Sequence, residues 1–390
     1  MKLKKTIRKN LVNIPGWRTN RKIVVIESDD WGSIRMPSRE VYELLLSKGI
    51  PVKTSYFLKY DCLESEEDLN HLFEVLGSFR DVNGNHACVT ANTVTGNPDF
   101  KKIKESNFST YYYEPFWETY GRYPNSPKAL EIWKDSFKLH LLWPQFHGRD
   151  HLNPLEYLKI LIHNNEEHIA FDYNALLGSR RESGRQAGYL GAFDYETVEE
   201  RKTFANVICE GQNMFEQAFG FKSKSFIAPT GIRGDSLDEW LFRNSIYYHQ
   251  DARQCLPLYE AQHTFRHRFW GATNQFGQFY WRRNSTFEPS RNPDFDWVGN
   301  VLKEAKVAFT WGKPLVVNSH RVNYVGGIDP ENRARGLKML ESLLRNLLKA
   351  FPDVEFMSSD QLGDFMAMNL RYFLGIKINT HFDVKFKPLK

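Results

Sequence analysis

Cysteine is scarce in this 390-residue chain. The four present, Cys62, Cys88, Cys209 and Cys255, are widely spaced and form no Cys-x-x-Cys pair. A disulfide framework is therefore not expected, and a reducing compartment is. Cys88 and Cys209 lie in apolar stretches and read as small buried hydrophobes. Long hydrophobic runs are also missing: no stretch reaches the roughly 18 apolar residues that a membrane-spanning helix needs. The N-terminus is basic but lacks an apolar core, since "LVNIPGW" is short and broken by Pro15, so no secretory signal is expected. These absences point to a cytoplasmic protein. Charge of one sign is not extreme either: the net charge is +5, and no nucleic-acid motif accompanies it. Nucleic acid is not an expected partner. Part of the positive charge sits in the first 22 residues, at Lys2, Lys4, Lys5, Arg8, Lys9, Arg18, Arg21 and Lys22. Such a run is either a solvated end or a patch that touches anionic lipid or an acidic substrate. Loose contact at a membrane surface stays open, and stable insertion does not. There is no internal repeat, low-complexity segment or Pro/Gly linker. The reading is one folded domain over 22–370, a basic segment at 1–21 and a tail at 371–390. Oligomeric state is not legible.

Aromatic residues, by contrast, are plentiful: 10 Trp, 18 Tyr and 29 Phe. They are either bulky core or the walls of a sugar-binding cleft, where flat rings stack on pyranose faces. Short apolar runs alternate with amphipathic helical patterns. "KIVVIES" (22–28), "NHACVTAN" (85–92), "KSFIAP" (224–229), "SIYYHQ" (245–250), "PLVVNSH" (314–320) and "VEFMSS" (354–359) read as strands. Helices are expected after Ser38, Ser65, Ser126 and Asn153-Pro154, over 196–219, from Pro330 and from Asp360. The aromatic stretch 109–124 reads as a loop, within an insert near 100–140. The Gly- and Arg-rich stretch 178–195 reads as a long loop. This alternation predicts a parallel α/β architecture, in which ligands gather at the carboxyl ends of the strands.

Four signals fall at such ends. Asp29 and Asp30 follow the first strand. Adjacent carboxylates repel, and are tolerated if one binds a cation and the other acts as a base, or if they merely cap a turn. His147 and His151, in "FHGRDH", are spaced i, i+4 at a strand–helix junction and could grip one metal ion. Asp plus two His leaves coordination positions open for water and substrate. His320 ends a strand, where an imidazole serves as general acid or base or as a plain hydrogen-bonding residue. "APTG" (228–231) is either a Pro/Gly turn or a source of backbone N–H groups for an oxyanion.

In this order the motifs resemble those of the polysaccharide deacetylases of carbohydrate esterase family four, the NodB-like enzymes. "ESDDWG", "HGRDH", "IAPTG" and "NSH" stand where that family carries its Asp-Asp, its His-x-x-x-His, its third-motif turn and its late histidine. The closing "VEFMSSDQLGDFM" is similar as well, and the resemblance spans roughly 22–370. It implies an irregular (β/α) barrel of about seven parallel strands. It also implies a divalent metal, zinc first among several, held by Asp30, His147 and His151. Asp29 resembles the base, His320 the acid, and the Thr230 amide an oxyanion donor. Trp31, Asn92, Arg149, Pro229 and Arg233 are candidate substrate contacts. The implied activity is metal-dependent hydrolysis of a non-peptide C–N bond, namely N-deacetylation of an amino sugar. With no secretory signal, a nucleotide sugar or a lipid-linked glycan suits better than an external polymer. Ile227 stands where the family has the arginine that positions the base, and Arg35, Arg149 or Arg233 could replace it. Gly148 and Asn318 also depart from the pattern. Two alternatives remain at this point: a metal-dependent glycosidase, with Asp150 or Asp251 as a second carboxylate, and an inactive carbohydrate-binding protein.

Overall fold

The computed structural model describes residues 10–11, 13–179, 188–261 and 263–374. Much of the basic segment, the tail from 375 and the middle of the 178–195 stretch lie outside the described residues.

Nine strands form one sheet: β1 (Lys22–Trp31), β2 (Val89–Thr93), β3 (Leu142–Phe146), β4 (Ser225–Phe226), β5 (Tyr248–His249), β6 (Phe279–Tyr280), β7 (Ser285–Thr286), β8 (Leu315–His320) and β9 (Val354–Phe356). Their order is β6-β5-β4-β3-β2-β1-β8-β7, with β9 paired to the start of β1, and the ladders of this sheet are parallel. Ile23, Val24, Val25 and Ile26 are buried on both faces of β1. A continuous β-branched run is what a central parallel strand requires, since helices cover both its sides.

The two edges, β6 and β7, are separated in sequence only by residues 281–284. A link that short, at about 3.5 Å per residue when extended, keeps the edges close. The sheet therefore curls into an incompletely closed (β/α) barrel. The strand count exceeds the expected seven because several rungs are only two residues long.

Helix placement follows local chemistry. Ser65 forms a reciprocal capping box with Asp68 ahead of helix α1 (Glu66–Gly77), whose Leu69, Leu72 and Leu76 enter the main core. Burying each such side chain stabilises by about 1.5–3 kcal/mol. Asn153 caps α2 (Pro154–His163), Thr197 caps α3 (Val198–Phe219), Asp296 caps α4 (Trp297–Thr310), and Asp329 caps α5 (Pro330–Ala350). The last helix, α6, spans Ser359–Leu374. Among the described residues, no helix is long and apolar enough to cross a membrane.

Three expectations are corrected. The aromatic stretch 109–124 is not simply a loop: Tyr113–Pro115 pairs with Gly96–Pro98, and Phe116–Arg122 is a helix. Phe116 and Tyr120, one turn apart, anchor that helix in the core. Ser126 caps no helix; its hydroxyl donates to the Glu64 carbonyl (2.9 Å), and the helix starts at Ala129. Cys209 is exposed, unlike Cys88, because it sits on the outer face of amphipathic α3.

Candidate metal centre and its cavity

The parallel register sets the site. Asp29 of β1 lies beside His320 of β8, and Thr93 of β2 lies beside Phe146 of β3, one residue before His147. The His147 amide extends that ladder by donating to the Thr93 carbonyl (2.9 Å).

In a regular strand Asp29 and Asp30 would face opposite sides. Here the β1–β2 register shifts between Ser28 and Trp31, and Asp30 adopts the left-handed φ of 77°. Non-glycine residues seldom do so, although aspartate tolerates it better than most. Both carboxylates consequently line one cavity of about 410 Å³. His147, His151, His320, Thr230, Arg35, Arg283 and Asn318 share its wall. Phe57 is the aromatic residue there; many of the large rings, including Trp31, Trp133 and Phe116, serve the core instead.

Asp30, His147 and His151 present ligand atoms that all lie within 4.8 Å of one another. An Asp30 carboxylate oxygen stands 2.9 Å from His151 Nε2 and 3.5 Å from His147 Nε2. The chain between the two histidines is loop, and the helix starts only at Pro154. His147 Nδ1 donates to the Ile227 carbonyl at 2.8 Å, which leaves the Nε2 lone pair free. That Nε2 is buried and has no hydrogen-bond partner. Burial pushes the Asp30 carboxyl up, but the two imidazoles outweigh it and hold it well below the usual range. Burial lowers His151. A bound cation would take the place of the imidazole protons, since metal ligands must be deprotonated. The donor set therefore fits a divalent ion bound by one oxygen and two nitrogens.

The other half of the cavity pairs Asp29 with an arginine and His320 with a glutamate. Burial disfavours an ionised Asp29, but Arg283 overrides it with two contacts of 2.7 Å, and the carboxyl sits far below its ordinary value. Asn92 adds a third donor at 2.7 Å. His320 Nε2 is 3.8 Å from Asp29, and its Nδ1 is 2.5 Å from Glu288. Burial opposes charge on His320, but Glu288 prevails and pushes the imidazole up to about 10. Asn323 holds the far oxygen of Glu288 at 2.8 Å. Arg283 also donates to Glu27 (2.6 Å), which is fixed by Trp281 (2.9 Å) and Ser359 (2.8 Å).

Arg283, rather than Arg35, Arg149 or Arg233, is the arginine that contacts Asp29. It lies in the link between the two barrel edges. The signal available in sequence was the pair of arginines inside "FYWRRN", a segment with no other use for charge. Glu288 was missed because it follows a strand of two residues.

Several expected substrate contacts lie elsewhere. Trp31 is 1% exposed, packs on Trp133 and donates to Ser28 (2.9 Å). Asn92 is buried behind Asp29 and exchanges hydrogen bonds with Gln250 (2.9 Å each way). Arg149 pairs with Asp150 and Glu210 (2.6 Å each) under the Tyr113 ring. Arg233 is wholly buried between Asp251 and Asp238. Pro229 is buried beside the cavity-lining Ala228 and Thr230. Thr230 itself takes a left-handed φ of 59°.

Fold and site together define a class: an open parallel (β/α) barrel whose strand ends gather two adjacent aspartates and three histidines. No family model matches the chain, and no curated protein matches it. Among solved structures, the chain is similar in fold to PuuE allantoinase, with 10% identity over 93% of this chain and 94% of that one, TM-score 0.47. It is similar to a variant of the peptidoglycan deacetylase PdaC from Bacillus subtilis, with 9% identity over 91% and 96% of the two chains, TM-score 0.39. It is also similar to a CE4 family pseudoenzyme from Bacillus anthracis, with 10% identity over 90% of this chain and 69% of that one, TM-score 0.38. These names include active and inactive proteins, so the functional reading rests on the side chains.

Proposed function

We propose that the protein is a metal-dependent hydrolase that removes an acyl group, most simply acetyl, from the nitrogen of an amino sugar. One observation carries this reading: an Asp-His-His donor set shares a cavity wall with Asp29, paired to Arg283, and His320, paired to Glu288. A divalent ion such as zinc, held by Asp30, His147 and His151, supplies Lewis-acid polarisation of a carbonyl and a bound water of pKa about 7.

Asp29, oriented by Arg283 and Asn92, accepts a proton from the attacking water at a carboxylate oxygen. Its weak hold on that proton suits passage rather than storage. His320 has its Nδ1 engaged by Glu288, so it delivers the Nε2 proton to the departing nitrogen as the C–N bond breaks. Two titratable groups with opposed proton affinities at one site mark the base and the acid. The Thr230 amide stands on the same wall as a donor for the oxyanion. Acetate and the free amine leave.

The glycosidase alternative is weakened, because Asp150 is engaged by Arg149 and Asp251 by Arg233, away from the cavity. A glycosidic bond needs carboxylates on both of its sides. The inactive-protein alternative loses its motive, because Arg283 contacts Asp29.

The test is elemental analysis of the purified protein beside an Asp30→Ala variant, paired with acetate release from N-acetylated amino sugars. About one equivalent of metal and measurable release are expected for the natural chain, and neither for the variant. Equal release by both proteins rejects the reading.

A further inference from the structure

We propose that Arg35 forms an anion subsite beside the metal centre, so that the substrate carries a phosphate or carboxylate close to its acylated nitrogen. This rests on the hydrolase reading above.

Arg35 lines the same cavity as His147 and His151 and is only 5% exposed. Its Nε is buried without a partner, and no hydrogen bond or ion pair joins its guanidinium to a described residue. The other arginines of the interior are neutralised: Arg283 by Asp29 and Glu27, Arg321 by Asp61 and Glu64, Arg233 by Asp238 and Asp251, Arg149 by Asp150 and Glu210. Asp61, a carboxylate that Arg35 influences across the interior, is already held by three Arg321 contacts of 3.1 Å. A buried charge without a partner is costly, and folds keep one where a ligand completes it.

Positioning the base does not explain Arg35, because Arg283 performs that task. The placement of Arg35 is nonetheless fixed: its carbonyl accepts from Leu176 (3.0 Å), and its guanidinium lies 6.0 Å from the Phe57 ring centroid. Arg283, the other arginine of the wall, spends its donors on Glu27, Asp29, Asn318 and Gln250. Toward the described residues Arg35 therefore keeps a free planar fork, whose geometry matches two oxygens of a phosphate or carboxylate. The phosphate of a nucleotide sugar or of a lipid-linked glycan, and the carboxylate of an acidic sugar, share this chemistry.

The experiment is calorimetric titration of sodium sulfate into the full-length protein, its Arg35→Gln and Arg35→Lys variants, and Asp30→Ala. Sulfate binding is expected to weaken about tenfold or more in Arg35→Gln, to lie between in Arg35→Lys, and to persist in Asp30→Ala. Equal affinity in the natural chain and Arg35→Gln overturns the proposal. So does loss in Asp30→Ala with retention in Arg35→Gln, which places the anion at the metal. If Arg35→Gln does not fold, Arg35→Lys decides: affinity equal to that of the natural chain overturns the assignment, since an ammonium lacks the fork. A second arm compares acetate release from a neutral N-acetyl amino sugar and from its phosphorylated counterpart. Arg35→Gln is expected to raise KM about tenfold for the phosphorylated compound and leave the neutral one within about twofold. An equal change for both overturns the subsite. If neither compound is hydrolysed, the hydrolase reading fails, while the sulfate titration still settles the anion site.

Discussion

On the β1–β8 side of the cavity, Arg283 bonds to Glu27 and Asp29, Glu288 bonds to His320, and His320 Nε2 faces Asp29 at 3.8 Å. In the Asp30–His147–His151 cluster, His147 Nε2 and His151 Nδ1 are buried with no hydrogen-bond partner, and Asp30 takes a left-handed backbone conformation. The first half is finished by the protein alone. The second carries valences that the chain leaves unmet, although burying polar atoms unpaired costs free energy. Such a difference within one cavity teaches where a protein is preorganised and where it is built to receive something.

The sharpest way to break this contrast is to remove the unmet half. Asp30→Ala should abolish metal binding and lower acetate release by about 10³-fold or more, since both Lewis-acid and water-activating roles disappear. Metal retained at full stoichiometry would place the ion elsewhere.

Arg283→Ala attacks the finished half. It leaves Glu27 and Asp29 buried and uncompensated, so unfolding free energy should fall by about 3–5 kcal/mol. Activity should fall by roughly 10²-fold, in kcat more than in KM. Denaturant titration beside steady-state kinetics checks both, and a variant as stable as the parent contradicts the network.

Glu288→Gln should act more gently. His320, raised to about 10 mainly against the pull of burial, should titrate at a lower pH in the variant. The sign follows from linkage: a raised imidazole contributes stability that is complete below its unfolded value of about 6.5. That contribution disappears as pH climbs from there to about 10 in the parent, and over a narrower window in Glu288→Gln. Histidine NMR titration of metal-free protein measures the shift, and coincident curves would remove Glu288 from the site. The alkaline limb of the activity profile should move to lower pH in parallel.

Trp31→Phe should matter least to turnover, because the ring lies in the core. A loss of about 1 kcal/mol of stability with KM unchanged is expected. A KM raised several-fold would return Trp31 to the cavity wall.

Much of the arrangement was legible in sequence because parallel strands bring their carboxyl ends together. Asp29, Asp30, His147, His151, Thr230 and His320 each follow an apolar run, and the structure places all six on one wall. Arginine was harder. Arg149 and Arg233 lie just past strand ends too, yet each turns to carboxylates that only tertiary packing supplies. Arg283 stands between two strands of two residues, too short to give any periodicity. Asn92 was located at the right strand end, but its burial behind Asp29 depends on Gln250, 158 residues away. Trp31 ends the strand that carries Asp30, and the local twist that turns Asp30 inward sends the indole into the core. Sequence proximity alone cannot separate those two outcomes.

That twist at Asp30 has a mechanical consequence. The proton-accepting carboxylate and the ligand carboxylate belong to consecutive residues, so their α-carbons stay about 3.8 Å apart whatever the rest of the barrel does. The imidazoles enjoy no such tether, since they reach the site across a loop from another strand. Warming the protein should therefore loosen the grip of the histidines first and leave the spacing of the two acids intact.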